Sequence, residues 1–227
     1  MSIHYRAIVL VLALVQVCLA DDEVVPQSLF EQGLSENWGF FSGKKDATLA
    51  DTWNLKDVDG QRILICTGEP YGYLRTKKVY RNFRMRMKWR FPKDQNGNSG
   101  VLVYTNGEDR IWPQSIQIQL HQPEAGSAFP SGGAKSDNEL RNVPMLSKPV
   151  NHWNDCVITS QDGRVTVIVN DQELGQVTGC EPNQGFIALQ SEGSEIHFTD
   201  LVIEPLSEQP MVEEPEEKSA EEGSPRP

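Results

Sequence analysis

The chain has 227 residues, 38% hydrophobic and 23% charged, with 21 Lys and Arg against 32 Asp and Glu and a net charge of −11. That length suits one domain with tails, and an acidic protein repels phosphate backbones, which argues against nucleic acid as a partner. Helix-period patterns are scarce, while β-branched and aromatic runs broken by Gly, Asp and Asn are common, so the expected class is a single all-β domain.

Residues 1–20 read as a secretory signal. Arg6 is the positive n-region, Ala7 to Val17 the apolar stretch, and Cys18-Leu19-Ala20 a small-x-small cleavage site before Asp21. The apolar run is too short to span a membrane, so the expected location is secreted or periplasmic. A lipoprotein is the weaker alternative, because Val17 before Cys18 is large for a lipid-attachment site. Cys66, Cys156 and Cys180 then remain, which allows one pair within a monomer. Cys156–Cys180 is the expected pair in an oxidising compartment, and three buried free thiols are the alternative. No Cys or His cluster has zinc spacing, so no cofactor is expected; a divalent cation stays open, with no sequence feature that points to it.

A short acidic leader covers 21–28. Leu29-Phe30 with Trp38, Phe40 and Phe41 reads as an N-terminal strand or loop that packs aromatics onto the domain. Between Asp51 and Cys66, Asp59-Gly60 separates two strand-like runs, a hairpin signal because a type I′ turn needs positive φ at both central residues. In Tyr80 to Phe91 the apolar Phe83, Met85, Met87, Trp89 and Phe91 alternate with Arg84, Arg86, Lys88 and Arg90. Each apolar side chain is worth roughly 1.5–3 kcal/mol when fully buried, so this strand must be central. Its basic row either meets water or borders a cleft.

After the loop Pro92 to Gly97 comes the stretch that organises the chain, NSGVLVYTNGEDRIWPQSIQIQL, from Asn98 to Leu120. A strand from Val101 to Tyr104 turns at Asn106-Gly107 into a second strand. There Ile116, Ile118 and Leu120 point one way and Ser115, Gln117 and Gln119 the other. The two glutamines therefore share a face, about 7 Å apart by strand rise, and that face suits either a polar ligand or plain solvent. The segment from His121 to Leu146, rich in Gly, Pro, Ser and Asn, is expected to be irregular and functional or mobile. Strands resume at Asn151 to Ser160, Arg164 to Val169, Glu173 to Val177, Gly185 to Gln190 and Glu195 to Ile203, with turns at Asp162-Gly163 and Asn170-Asp171. About ten strands and no strong helix are expected. From 207 to 227 the chain carries seven acids against two bases and reads as disordered.

There is no phosphate-cradling Gly-rich loop, no G-x-S-x-G and no H-E-x-x-H. His121 opens the long loop, where it can act as a base or simply be solvated. His152 caps or packs beside Trp153, and His197 is expected to face water. Ordinary glycoside hydrolysis needs two carboxylates flanking the scissile bond. The glutamine strand offers none, while Glu108, Asp109, Glu124, Asp137 and Glu139 lie in adjoining loops. Trp112, beside Arg110 and Pro113, is either a sugar-stacking platform or a loop anchor.

The runs YRNFRMRMKWRFPKDQNGNSGVLV, IWPQSIQIQL, HWND and GFIALQSEGSEIHFTDLVIEPL resemble the 3-keto-disaccharide hydrolase, or 3-keto-glucoside lyase/hydratase, domain family. The resemblance covers about residues 29–206. It implies a concanavalin-like jelly-roll β-sandwich of two antiparallel sheets, and action on glycosides whose 3-hydroxyl has been oxidised to a ketone. Two positions depart from the family pattern. Gln117 stands where the strand residue is usually Glu, and Ser127 where an acid is frequent; glutamine cannot ionise, so it cannot be the general base. The expectation is a secreted carbohydrate-active hydrolase or lyase with His121, Asp137 and Glu139 as catalytic candidates. Arg110, Trp112, Gln117 and Gln119 are the candidates for binding the carbohydrate. A non-catalytic carbohydrate-binding module and an extracellular structural domain are the competing classes.

Overall fold

The computed structural model of the protein describes residues 26–31 and 33–207; the signal segment and the acidic tail lie outside the described residues. Strands, numbered in chain order, form two antiparallel sheets. The larger runs β12 (Gln172–Val177), β11 (Arg164–Val169), β10 (Asn154–Gln161), β6 (Phe83–Arg90), β14 (Ile196–Pro205), β4 (Gln61–Cys66) and β3 (Trp53–Val58), with β1 (Gln27–Ser28) also on β14. The smaller runs β2 (Trp38–Ser42), β5 (Gly72–Thr76), β13 (Phe186–Ser191), β7 (Gly100–Asn106), β8 (Gln114–Gln119) and β9 (Ala128–Ser131).

The alternating strand is central, as its pattern requires. β6 lies between β10 and β14, and Phe83, Met85, Met87, Trp89 and Phe91 are at most 2% exposed. Its basic row faces away from the core and is met by acids on the neighbouring strands. Lys88 pairs with Asp200 at 2.9 Å, and Arg84 and Arg86 both reach Glu204 at 3.5 Å. Arg90 stacks over the Trp153 ring at 4.4 Å. The three two-residue turns adopt positive φ at both positions: Asp59-Gly60 (51°, 78°), Asp162-Gly163 (49°, 76°) and Asn170-Asp171 (48°, 63°). This is the type I′ requirement. Between the sheets the Tyr104 hydroxyl meets the Ser160 hydroxyl, which also donates to the Arg81 carbonyl.

Four features differ from expectation. β5 and β9 were not predicted, because β5 is a five-residue strand carrying Arg75 and β9 holds Pro130 within the Gly- and Pro-rich segment. Pro130 is tolerated there because β9 is an edge strand. Two four-residue helices, Leu34–Asn37 and Leu49–Thr52, cap the starts of β2 and β3. Cys156 and Cys180 do not pair: all three described cysteines are free and buried, and burial pushes the Cys156 thiol up to about 12 and Cys66 and Cys180 to about 11. His197 does not face open water; it is half-buried, with Nε2 2.9 Å from Glu195 and Nδ1 accepting from Arg90 at 3.4 Å.

Candidate functional site

Strand alternation divides the smaller sheet into two faces. Leu74, Val101, Val103, Ile116, Ile118, Ile187 and Leu189 join the core between the sheets. Tyr73, Leu102 and Ala188, with Phe41 packed on them, form a separate cluster on the opposite, outward face. Register sets Arg75 beside Ala188, Ala188 beside Leu102, Leu102 beside Gln117 and Gln117 beside Phe129. The floor of this face is thus apolar at its centre and amide-bearing on the β8 side.

Gln117 lies on this outward face and not in the aliphatic core, but it is nearly covered, 6% exposed. Gln119 is partly committed: its amide oxygen accepts the backbone N–H groups of Leu120 at 3.1 Å and His121 at 3.3 Å. That bond fixes the exit from β8 and starts the short 3-10 turn Gln122–Glu124, which His121 precedes. Leu120 N–H donates to the Ser99 carbonyl and Gln122 N–H to the Gly97 carbonyl. His121 is thereby held opposite Asn98, just above the amide row.

The remaining expected site residues are placed as follows. Trp112 is 51% exposed, and its Nε1–H donates to Glu192 Oε1 at 3.1 Å. Arg110 donates to the Gly132 carbonyl, tying the β7–β8 loop to the end of β9. Glu139 pairs with Arg141 at 2.8 Å, and the Arg141 guanidinium lies 3.4 Å above Phe129, the ring beside Gln117. Asp137 is elsewhere: its N–H donates to the Thr178 carbonyl, and its carboxylate accepts from the Thr178 hydroxyl at 3.5 Å. A Cβ at Gly179 would collide with that carboxylate, so Asp137 belongs to the chain leaving β12, on the other sheet. Asp109 accepts from the Tyr73 hydroxyl and from Arg75 Nη1, both at 2.7 Å.

Glu192 escaped the sequence reading. It continues the outward row Phe186, Ala188, Gln190 one step past the end of β13, and β13 is hydrogen-bonded between β5 and β7. Burial pushes its carboxyl above the usual range, against the Trp112 hydrogen bond and the charge of nearby His121. Its other oxygen, Oε2, is buried without a partner. The exposed Tyr71 ring stands at the same end, its hydroxyl 3.0 Å from where a Cβ on Gly193 would sit. A tunable carboxyl, an imidazole and two exposed aromatic rings therefore meet at the β13–β8 end of this face. No group of three or more His, Cys, Asp or Glu able to hold a metal occurs among the described residues, and no helix among them is long and apolar enough to cross a membrane.

Comparison with known proteins shows what this geometry is similar to. A curated 3-keto-disaccharide hydrolase of Bacteroides thetaiotaomicron is 22% identical over 174 residues, covering 56% of this chain. The match spans about three fifths of that relative's length, 59%. Among solved structures, a Parabacteroides distasonis protein named as a glycosyl hydrolase superposes with a TM-score of 0.60 at 20% identity, over 80% of this chain and 94% of that one. A Bacillus licheniformis β-glucanase gives 0.56 at 14% identity (78% and 96%), and the carbohydrate-binding module CBM66 of Bacillus subtilis 0.51 at 11% (74% and 95%). These likenesses show the concanavalin-like jelly-roll fold. The sequence of residues 26–204 matches the family model of the 3-keto-alpha-glucoside-1,2-lyase-like domain, and the chain belongs to that family.

Proposed function

We propose that the outward face of the smaller sheet binds a saccharide, and that the protein cleaves 3-keto-glycosides by elimination at C1–C2 followed by hydration. The observation that carries this reading is Glu192: a half-buried carboxyl, raised by burial, with one oxygen on Trp112 and His121 close by. A ketone at C3 acidifies the C2 proton, so a base can take it while the C1–O bond breaks and the leaving oxygen gains a proton. His121 and Glu192 supply two proton-transferring groups on one face. The exposed Trp112 ring suits the C–H side of a pyranose. Gln117 is confined to donating and accepting hydrogen bonds. Family membership and the name of the Bacteroides relative support the 3-keto substrate class, and the expected signal segment fits an extracellular or periplasmic sugar. The second reading, a saccharide-binding module without turnover, is favoured by Gln117 standing in place of a carboxylate.

The test is release of the aglycone from an aryl 3-keto-glucoside by pure protein, beside calorimetric binding of the same compound. Turnover that falls about 10²–10⁴-fold in Glu192→Gln, the range for loss of general acid–base catalysis, with binding retained, is the expected result. Saturable binding without release supports the second reading, and neither binding nor release overturns both.

A further inference from the structure

Three side-chain oxygens at this site are buried and receive no hydrogen bond: Asn98 Oδ1, Gln190 Oε1 and Glu192 Oε2. The backbone gathers them. The β13–β7 register pairs Leu189 with Val101, and one antiparallel step further sets Gln190 beside Gly100, two more Glu192 beside Asn98. The Ser99 hydroxyl donates to the Gln190 carbonyl at 2.8 Å and Asn98 N–H to the Ser194 hydroxyl at 3.1 Å, which holds the two strands together beyond the ladder. A Cβ at Gly100 would collide with Gln190 Oε1, so that amide oxygen lies across bare backbone, and Gln190 is only 2% exposed.

A buried acceptor left without a donor is destabilising. A proton would supply the missing donor, and of the three groups the carboxyl can carry it. We propose that Glu192 is protonated on Oε2 in the resting protein, its O–H donating to the amide oxygens of Asn98 and Gln190, so that it enters the reaction as the acid. The two amides are then positioning residues that keep the acid neutral and aimed. The role in catalysis rests on the proposed function; the protonation does not.

The groups facing Glu192 agree. Trp112 Nε1–H reaches the other oxygen, Oε1, and leaves Oε2 free to hold the proton. A protonated His121 would favour the carboxylate, but burial outweighs it. Tyr71 adds a hydroxyl at Gly193. The proton balance closes. His121 takes the C2 proton, the C2–H electrons become the C1=C2 bond, and the C1–O electrons leave with the glycosidic oxygen. That oxygen takes the proton of Glu192, whose carboxyl must first turn from the two amides, and the imidazolium returns a proton to the carboxylate.

Carbon-13 NMR of the Glu192 carboxyl in the full chain, assigned against Glu192→Gln and titrated without any sugar, tests this. The expected result is a carboxyl that stays protonated through neutral pH, with its titration moved down in Gln190→Met and in Asn98→Leu, because the neutral acid loses an acceptor. Ionisation of the unaltered chain's carboxyl complete below neutral pH overturns the proposal even where a variant does not fold. A rise in Gln190→Met also overturns it, since the amide N–H would then be what faces the carboxylate. So does displacement of the resonance by Ca²⁺ or Mg²⁺, which would make the missing partner a metal ion. Because no glycoside is present, a failure here leaves saccharide cleavage standing, and a protonated Glu192 in a protein that binds no saccharide defeats only the functional reading.

Discussion

At the scale of single residues, a carboxyl raised by burial costs stability wherever it must ionise. Its folded form binds a proton more tightly than its unfolded form, so its contribution is full in acid and is lost as pH rises through the folded value. Glu192→Gln is therefore expected to stabilise the fold at neutral pH by about 1 kcal/mol, the scale common for such functional-site changes, seen as a higher melting temperature, and to give no gain in acid. Thermal melts at both pH values check this. Trp112→Phe keeps the ring and removes the donor that favours the charged form. The alkaline limb of its rate profile is expected to move up, while Trp112→Ala weakens saccharide binding instead. Trp112, in a loop, read as either a stacking ring or an anchor, and the glutamine row was legible in the sequence, because period-two alternation is local. Glu192 was not, since 70 or more residues separate it from Trp112 and His121 and only the β13–β7 pairing closes the gap. The signal was present as Ala188, Gln190 and Glu192 alternating with Ile187, Leu189 and Ser191. Asp137 shows the reverse: proximity in the chain to the glutamine strand, yet hydrogen bonds to Thr178 on the other sheet.

At the scale of elements, β6 carries the sharpest contrast between its faces. Trp89 is fully buried in the centre of the larger sheet, while Arg86 shares Glu204 with Arg84 at a half-exposed surface. Trp89→Ala is expected to cost about 3–5 kcal/mol, and Arg86→Ala about 0–1 kcal/mol, by urea unfolding. A difference of less than about 1 kcal/mol between them would contradict the central place of this strand. β6 and the three Asp- or Asn-led turns were readable because their determinants lie within two to eight residues. β9 was not: Ala128 and Phe129 give only two apolar positions, and the strand exists because β8 offers an open edge to pair with.

At the scale of the whole molecule, the larger sheet's outward face is a ladder of ion pairs and the smaller sheet's outward face holds the proposed chemistry. The two faces respond to pH with opposite sign. The hydrogen bond from Lys88 holds the Asp200 carboxyl below its usual range. Burial lowers His197, against the pull of Glu195. Both contribute stability that is present above their unfolded values and lost as pH falls through the folded ones. Acid unfolding is therefore expected to sharpen in the carboxylate range in the parent chain, and to weaken in Asp200→Asn, whose neutral-pH stability starts lower; melts across pH decide it. The most direct test of the central claim is a crystal structure of the protein soaked with a 3-keto-glucoside or its unoxidised parent. Sugar density resting on Trp112, with its anomeric oxygen in hydrogen-bond reach of Glu192 and C2 facing His121, is the expected result. Sugar bound only against the charged face of the larger sheet, with the β13–β8 end bare, would contradict it.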